Sequence, residues 1–230
     1  PQDRSSAASD VYKRQNLSES IQEMGTTFIK LGQFLATRPD IIGEKLSKEL
    51  ESLQDKLPPF SKKEAEKIII ENLGQSNFDD IIDLSEPIAA ASIAQVHKAK
   101  IKEDNIIKNV AIKVLRPNIK KIFNDEIDAI MLLAYIIENL ITKTKRLKLI
   151  EVVFLFKEIT NHEMDLRFEA AAANEYAENT KNDLGFFVPK IYWNFTSESV
   201  LTLDWVDGVS IREKDLLKEK NIETSKIATN

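Results

Sequence analysis

Cysteine is absent from this 230-residue sequence, and histidine occurs only at His97 and His162. Without thiols there are no disulfides and no thiolate metal sites, and two isolated imidazoles do not make a histidine-based one. Aromatic residues are sparse, at 7%. No apolar run reaches the roughly 18 residues that a bilayer crossing needs. The nearest, Ile127 to Ile141, is interrupted by Asp128 and Glu138 and reads as a buried amphipathic helix. No signal peptide is visible. An excess of positive charge is also missing: a net charge of −5 gives no overall pull toward nucleic acid or an anionic surface. The one basic cluster, Lys143, Lys145, Arg146 and Lys148, is short and reads as a solvated helix end. This charge mix, with no cysteine, suits a cytoplasmic compartment.

What is present is 43% hydrophobic, enough for one or two packed cores. Residues 1–15 start at Pro1 and include an aperiodic run, RSSAASDVYKRQ, that resembles translated junction sequence; they are set aside as a non-native or disordered leader. Leu17, Ile21, Met24, Phe28, Leu31 and Leu35 then recur at spacings of 4, 3, 4, 3 and 4, one stripe of an amphipathic helix. Ser20 and Glu23 have capping-box spacing at its start, and Pro39 stops it at Arg38. Gly25 and Gly32 beside the stripe would admit another backbone. Further helices are expected from Ile41 to Leu53 and from Lys62 to Leu73, the latter ended by Gly74. Ile88 to Ile101 and Asn109 to Leu115 read as strands around a turn at Glu103 to Asn105. Two long helices follow, Ile119 to Thr142 and Leu147 to Asn179, and then a hairpin of Lys190 to Phe195 with Val200 to Val206. A last helix runs from Ser210 to Lys220, and 222–230 carries no closing signal, so the chain reads as a fragment. This element order predicts an α+β fold.

The sharpest local signal is Val110-Ala111-Ile112-Lys113-Val114. In a strand the lysine points away from its apolar neighbours, and a sequestered ammonium needs an anion. Protein kinases use such a strand to hold the α- and β-phosphates of ATP, with a helix glutamate orienting the lysine. Taken alone, the segment is equally an edge strand with a solvated lysine. Upstream, where a kinase has its glycine-rich loop, stands Pro87-Ile88-Ala89-Ala90-Ala91-Ser92-Ile93-Ala94-Gln95-Val96. Alanine resists left-handed backbone by about 1–2 kcal/mol per residue, so this loop is expected to be stiffer than a glycine loop, or helical. On the first helix Thr26, Lys30, Gln33 and Thr37 share a face away from the apolar stripe. His97 reads as a structural histidine, and Trp193 and Trp205 read as core or hinge packing.

Four motifs in order resemble the UbiB/aarF family of atypical kinases, over about Leu17 to Ile211. Ala89-Ala90-Ala91-Ser92 looks like its alanine-rich loop, and Lys30-Leu31-Gly32-Gln33 like its KxGQ signature. Glu163-Met164-Asp165 looks like its ExD signature, with Glu169 where the strand lysine's partner belongs, and Leu201 to Gly208 resembles its hinge. The resemblance implies a kinase-like N-terminal lobe over 81–206, a helical extension over 16–80, and the start of a truncated C-terminal lobe over 207–230. It implies ATP and Mg²⁺ as cofactors, with ATPase or small-molecule kinase chemistry in ubiquinone biosynthesis near a membrane, alongside pathway proteins or lipid intermediates. Lys113 and Glu169 would be catalytic. Ile88, Ala89, Ala90, Ala91, Ser92, Gln95, Val96, Lys113, Asp204 and Val206 would bind ATP, the hinge through its backbone. Lys30, Gly32, Gln33, Glu163 and Asp165 would gate the cleft; Glu163 and Asp165 can serve one site only if their helix bends or starts near them. Asp165 and Glu169, four apart, would share a face. Nothing after Ile211 resembles a catalytic or metal-binding aspartate loop, so this stretch alone is expected not to turn over. Two alternatives stay open: an ordinary Ser/Thr protein kinase, and a non-catalytic nucleotide- or lipid-sensing scaffold.

Overall fold

The computed structural model describes residues 19–51, 53, 57–183, 185–211, 213–220 and 222. Residues 1–15, Leu17 and nearly all of the tail after Lys220 lie outside these residues. The fold is α+β, an antiparallel sheet with helices around it.

The sheet forms around a hairpin of β3 (Ala94–Glu103) and β4 (Ile106–Leu115), paired from Ala94↔Leu115 to Glu103↔Ile106. Its two-residue turn, Asp104 and Asn105, takes positive φ at both positions (50° and 62°), the twist-compatible hairpin geometry that these residue types tolerate. The hairpin register carries β4 back to Ile106, three residues before the start expected from its polar Asn109. β5 (Val200–Asp204) pairs with β4, while β1 (Ile81–Ile82) and β2 (Pro87–Ala90) share the other edge of β3. On β4 Val110, Ile112 and Val114 are fully buried. They pack with Ala99, Ile101, Tyr192 and Phe195 and with Ile69 of α4 (Lys62–Leu73). Ala111 and Lys113 face the opposite side, as alternation requires. The first strand expected from Ile88 to Ile101 is divided by 91–93, the non-helical bend between β2 and β3.

Three expected helices are interrupted. Residues 19–23 are already helical, so Ser20 lies within the helix rather than at its cap. Gly25, at φ 103°, ends that run and α1 (Thr26–Ala36) starts anew. Pro39 opens α2 (Pro39–Ile42) as its first residue, and Gly43 separates it from α3 (Glu44–Leu50). The capping box that does form is Ser61 with Glu64, at the start of α4, which ends at Gly74 as expected. After α5 (Gln75–Asp79) and the sheet comes α6 (Ile119–Leu140), then a 3₁₀ segment (Thr142–Leu147). The long helix expected to Asn179 is two: α7 (Leu149–Glu163) and α8 (Leu166–Asn179). The break follows from tertiary partners. Met164 is buried, the Asp165 side chain accepts from the Arg167 amide, and the Leu166 amide donates to Glu198 O at 2.9 Å. Phe123, Ile127, Phe156, Leu166, Ala170 and Leu201 form the second core, between these helices and the sheet. The expected late hairpin reduces to one bridge, Ile191↔Leu203, because Trp193–Phe195 coils into a 3₁₀ turn. A short α9 (Lys214–Glu219) follows.

Candidate functional site

Lys113 leaves the sheet on the side opposite the Val110/Ile112/Val114 core, where its partly enclosed ammonium favours an anionic partner. Glu169, in the first turn of α8, supplies it: Lys113 Nζ donates to Glu169 Oε2 at 2.7 Å across 56 residues of sequence. The break at Met164–Asp165 makes this possible by starting a new helix whose first turn reaches the strand. The pair opens into a cavity of about 600 Å³. Ala91, Ile93 and Ala94, at the bend between β2 and β3, form one wall, and Ile159, His162 and Glu163 at the end of α7 form another.

α1 supplies the remaining wall. Lys30 lines the cavity and pairs with Glu163 at 2.8 Å, its side chain only 15% exposed. Four residues earlier, Thr26 Oγ1 donates to Ser92 O at 3.1 Å. The helix therefore touches the alanine bend with one turn and α7 with the next. Lys30 and Lys113 are matched by Glu163 and Glu169, so these four lining charges cancel.

Several expected residues are placed elsewhere. Gln95 is fully buried on the opposite face, where its Oε1 accepts from the Phe60 amide (2.9 Å) and its Nε2 donates to Phe60 O (3.2 Å). Alternation along β3, which turns Ala94 to the cavity, turns Gln95 away from it. Asp165 does not share a face with Glu169; it is the N-cap of α8, and Arg167 binds it at 2.6 and 2.9 Å. That guanidinium holds its carboxyl below the usual carboxylate range. Asp165 belongs to a neighbouring hollow with Lys120 and Glu198, which form an ion pair; partial burial lowers Lys120. Gly32 is buried against the side chains of Leu53 and Leu50, not against a backbone and not in the cavity. Gln33 is half-buried and outside the lining. Ile88, Ala89 and Ala90 form β2, Val96 lies opposite Lys113 on β3, and Ser92 is fully buried, all outside the lining. The Asp204 carboxylate is engaged by Tyr192 Oη (2.6 Å) and the Lys190 amide (3.2 Å). Burial and this partner push the Tyr192 phenol well above its ordinary value. The amides of Asp204 and Trp205 donate to Lys190 O and Asn109 O, while Val206 is exposed.

His97 is fully buried, with Nδ1 on Ser85 O and Nε2 on Gln95, a structural role. Burial holds its pKa below 6.5. Ile93 and Ala94 fall within the loop 89–96 expected over the nucleotide, whereas the sequence carries no mark of Ile159 and His162 as cavity residues, since alternation and helical phase fix faces but not which face meets which. Nor does it mark Arg116, whose guanidinium reaches back to Ala91 O. A second cavity, of about 550 Å³ around Arg38 and Lys148, has both of those cations paired, by Asp40 and Glu151.

The sequence as a whole has known relatives. The ABC1 atypical kinase-like domain matches residues 52–230. The chain belongs to that family. Among curated relatives of this ABC1-family chain, the probable protein kinase UbiB of Cellvibrio japonicus is 34% identical over 215 residues, 93% of this chain. Its namesakes from Marinobacter nauticus and Azotobacter vinelandii are 33% and 34% identical, each over 91% of this chain. The chain spans about 38% of the length of these relatives. No helix among the described residues is long and apolar enough to cross a membrane.

Proposed function

We propose that this chain forms the nucleotide-binding part of a UbiB-type atypical kinase, in which the cavity beside Lys113 takes the phosphates of ATP. The observation that carries this is the Lys113–Glu169 pair at 2.7 Å, opening beneath Ala91–Ala94 into a space of about 600 Å³. The Lys113 ammonium would hold the α- and β-phosphates. Glu169 fixes its direction, and the backbone of Val206 would meet the adenine beyond β5. Because the four lining charges cancel, a polyphosphate needs further positive charge, which Mg²⁺ would bring when bound. Among the described residues no three His, Asp or Glu side chains converge on one point, so we assign Mg²⁺ no ligand set here.

α1 supports small-molecule or ATPase chemistry over peptide phosphorylation. It crosses the cavity from the Ser92 carbonyl to Glu163, on ground that a peptide substrate would need. A role in ubiquinone biosynthesis, at a membrane and beside lipid intermediates or pathway proteins, is the physiological setting we propose on the family resemblance. In the full-length protein, Lys113→Ala should weaken binding of ATP or a non-hydrolysable analogue at least about tenfold, the worth of one charged hydrogen bond. Isothermal titration on protein of unchanged fold would read this, and an unchanged affinity would remove the assignment.

A further inference from the structure

The bend above the cavity is held in an unusual way: its peptide carbonyls, from Ala91 to Ala94, all accept hydrogen bonds from within the chain. Ala91 O takes two from the Arg116 guanidinium, at 3.1 Å from Nε and 2.8 Å from Nη2. Ser92 O takes the Thr26 hydroxyl at 3.1 Å. Ile93 O takes the Arg116 amide, and Ala94 O takes the Ala91 amide, each at 2.8 Å. Arg116 is therefore bonded to this bend through both its side chain and its backbone. It also anchors outward. Nη2 reaches Leu57 O at 3.4 Å, and the guanidinium lies over the Phe60 ring at 5.9 Å from its centroid.

The chemistry explains why such a hold matters. A peptide carbonyl carries partial negative charge, so one turned into the cavity would repel a phosphate, whereas backbone N–H groups attract it. A glycine loop solves this by turning its peptide planes freely. Alanine cannot adopt left-handed backbone cheaply, so its planes must be set from outside. Arg116 is not itself a lining residue of the cavity, although Ala91 is; the Ala91 carbonyl is thus drawn toward a group behind the wall. Arg116 also sits three residues after Lys113, directly past the end of β4, so the segment that presents the ammonium also fixes the bend above it.

We propose that Arg116 is the positioning residue of the alanine bend: it holds the Ala91 carbonyl out of the cavity, so that the bend closes over a phosphate group without opposing its charge. This rests on the reading of the cavity as a phosphate site, and the test separates the two. In the full-length protein, Arg116→Lys keeps the charge but loses the two-nitrogen fork, and Arg116→Gln removes the charge. Backbone amide exchange of the peptide spanning 88–95, measured without nucleotide, should rise at least about tenfold in both variants, the change expected when a charged hydrogen bond is lost. Affinity for ADP should fall about tenfold while that for adenosine stays within about twofold, a split that general destabilisation would not produce. Should Arg116→Gln fail to fold, Arg116→Lys alone decides. Folded protein with wild-type exchange in 88–95 overturns the clamp, whatever binds in the cavity. Faster exchange with unchanged ADP affinity overturns the phosphate-positioning role. Wild-type protein that binds no nucleotide overturns the functional reading, while the exchange result still decides whether Arg116 holds the bend.

Discussion

Lys113 and Glu169 are less enclosed than a kinase-like pair is often pictured: their side chains are 27% and 50% exposed. A fully sealed pair would lose about 3–5 kcal/mol when one partner is removed. Water reaches this one, so its contribution belongs near the range of about 0–1 kcal/mol found for exposed pairs. Lys113→Ala is therefore expected to lose ligand affinity while keeping nearly all of its stability. His97 is the opposite case, fully buried. Its Nδ1–H donates to Ser85 O, so Nε2 accepts from the Gln95 amide group, whose Oε1 is already taken by the Phe60 amide. A second ring proton would face that same donor. Burial accordingly lowers the folded pKa below 6.5. The unfolded chain then binds the proton first as pH falls, and stability declines from about pH 6.5 down to the folded pKa, by up to about 1.4 kcal/mol per pH unit. Denaturant midpoints of wild type and His97→Gln across pH 5 to 7 should converge toward acid. Parallel curves would show that His97 does not titrate on unfolding.

At the scale of elements, Gly32 joins α1 to the segment after α3. A Cβ there would run into Leu53 Cδ1 and touch Leu50. The colliding atom is a movable side-chain end, so Gly32→Ala should cost about 1–3 kcal/mol, as overpacking does, without unfolding the protein. Combining it with Leu53→Ala should give a total smaller than the sum of the two single changes, read from denaturant melts; strict additivity would contradict the packing. The element breaks show what the sequence leaves illegible. The apolar stripe from Leu17 to Leu35 stays in phase through Gly25, so periodicity alone cannot see the interruption there. The α7–α8 break depends on Glu198 capturing the Leu166 amide, a partner 32 residues away that no local pattern can supply. By contrast, the end of α4 was legible because Gly74 marks it chemically, and its start at Lys62 is fixed in the structure by the Ser61–Glu64 capping box.

Across the whole molecule, Gln95 makes a polar seam between β3 and the chain before α4, beside the apolar packing of Ile69 on the sheet, and the same logic applies to the site. Lys113 stands out in the sequence because an ammonium among Val110, Ile112 and Val114 calls for an anion or for solvent, whereas Glu169 is picked out by the family resemblance rather than by any local pattern. Gln95 and Asp165 lie outside the cavity lining, and motif order carries no information about which face a side chain takes. Gln95 instead ties the chain just before α4 to β3, satisfying both the amide and the carbonyl of Phe60 and bonding to His97. Gln95→Ala would leave these three groups without that partner. At about 1–3 kcal/mol for each enclosed group left unsatisfied, and with Phe60 only half-buried, the loss should be on the order of 3 kcal/mol. The weakened place should be the seam rather than the sheet, since β3 and β4 keep their full ladder. Limited proteolysis of the variant should therefore open a new cleavage near 57–61 before any cut within 94–115. Gln95→Glu refines the point: a carboxylate can still accept from the Phe60 amide but cannot donate to its carbonyl or to His97, and it favours a protonated ring. That variant should lose the decline toward pH 5 expected of wild type and gain stability there instead. If both variants melt as wild type does and resist protease at 57–61, Gln95 does not hold the chain before α4 to β3.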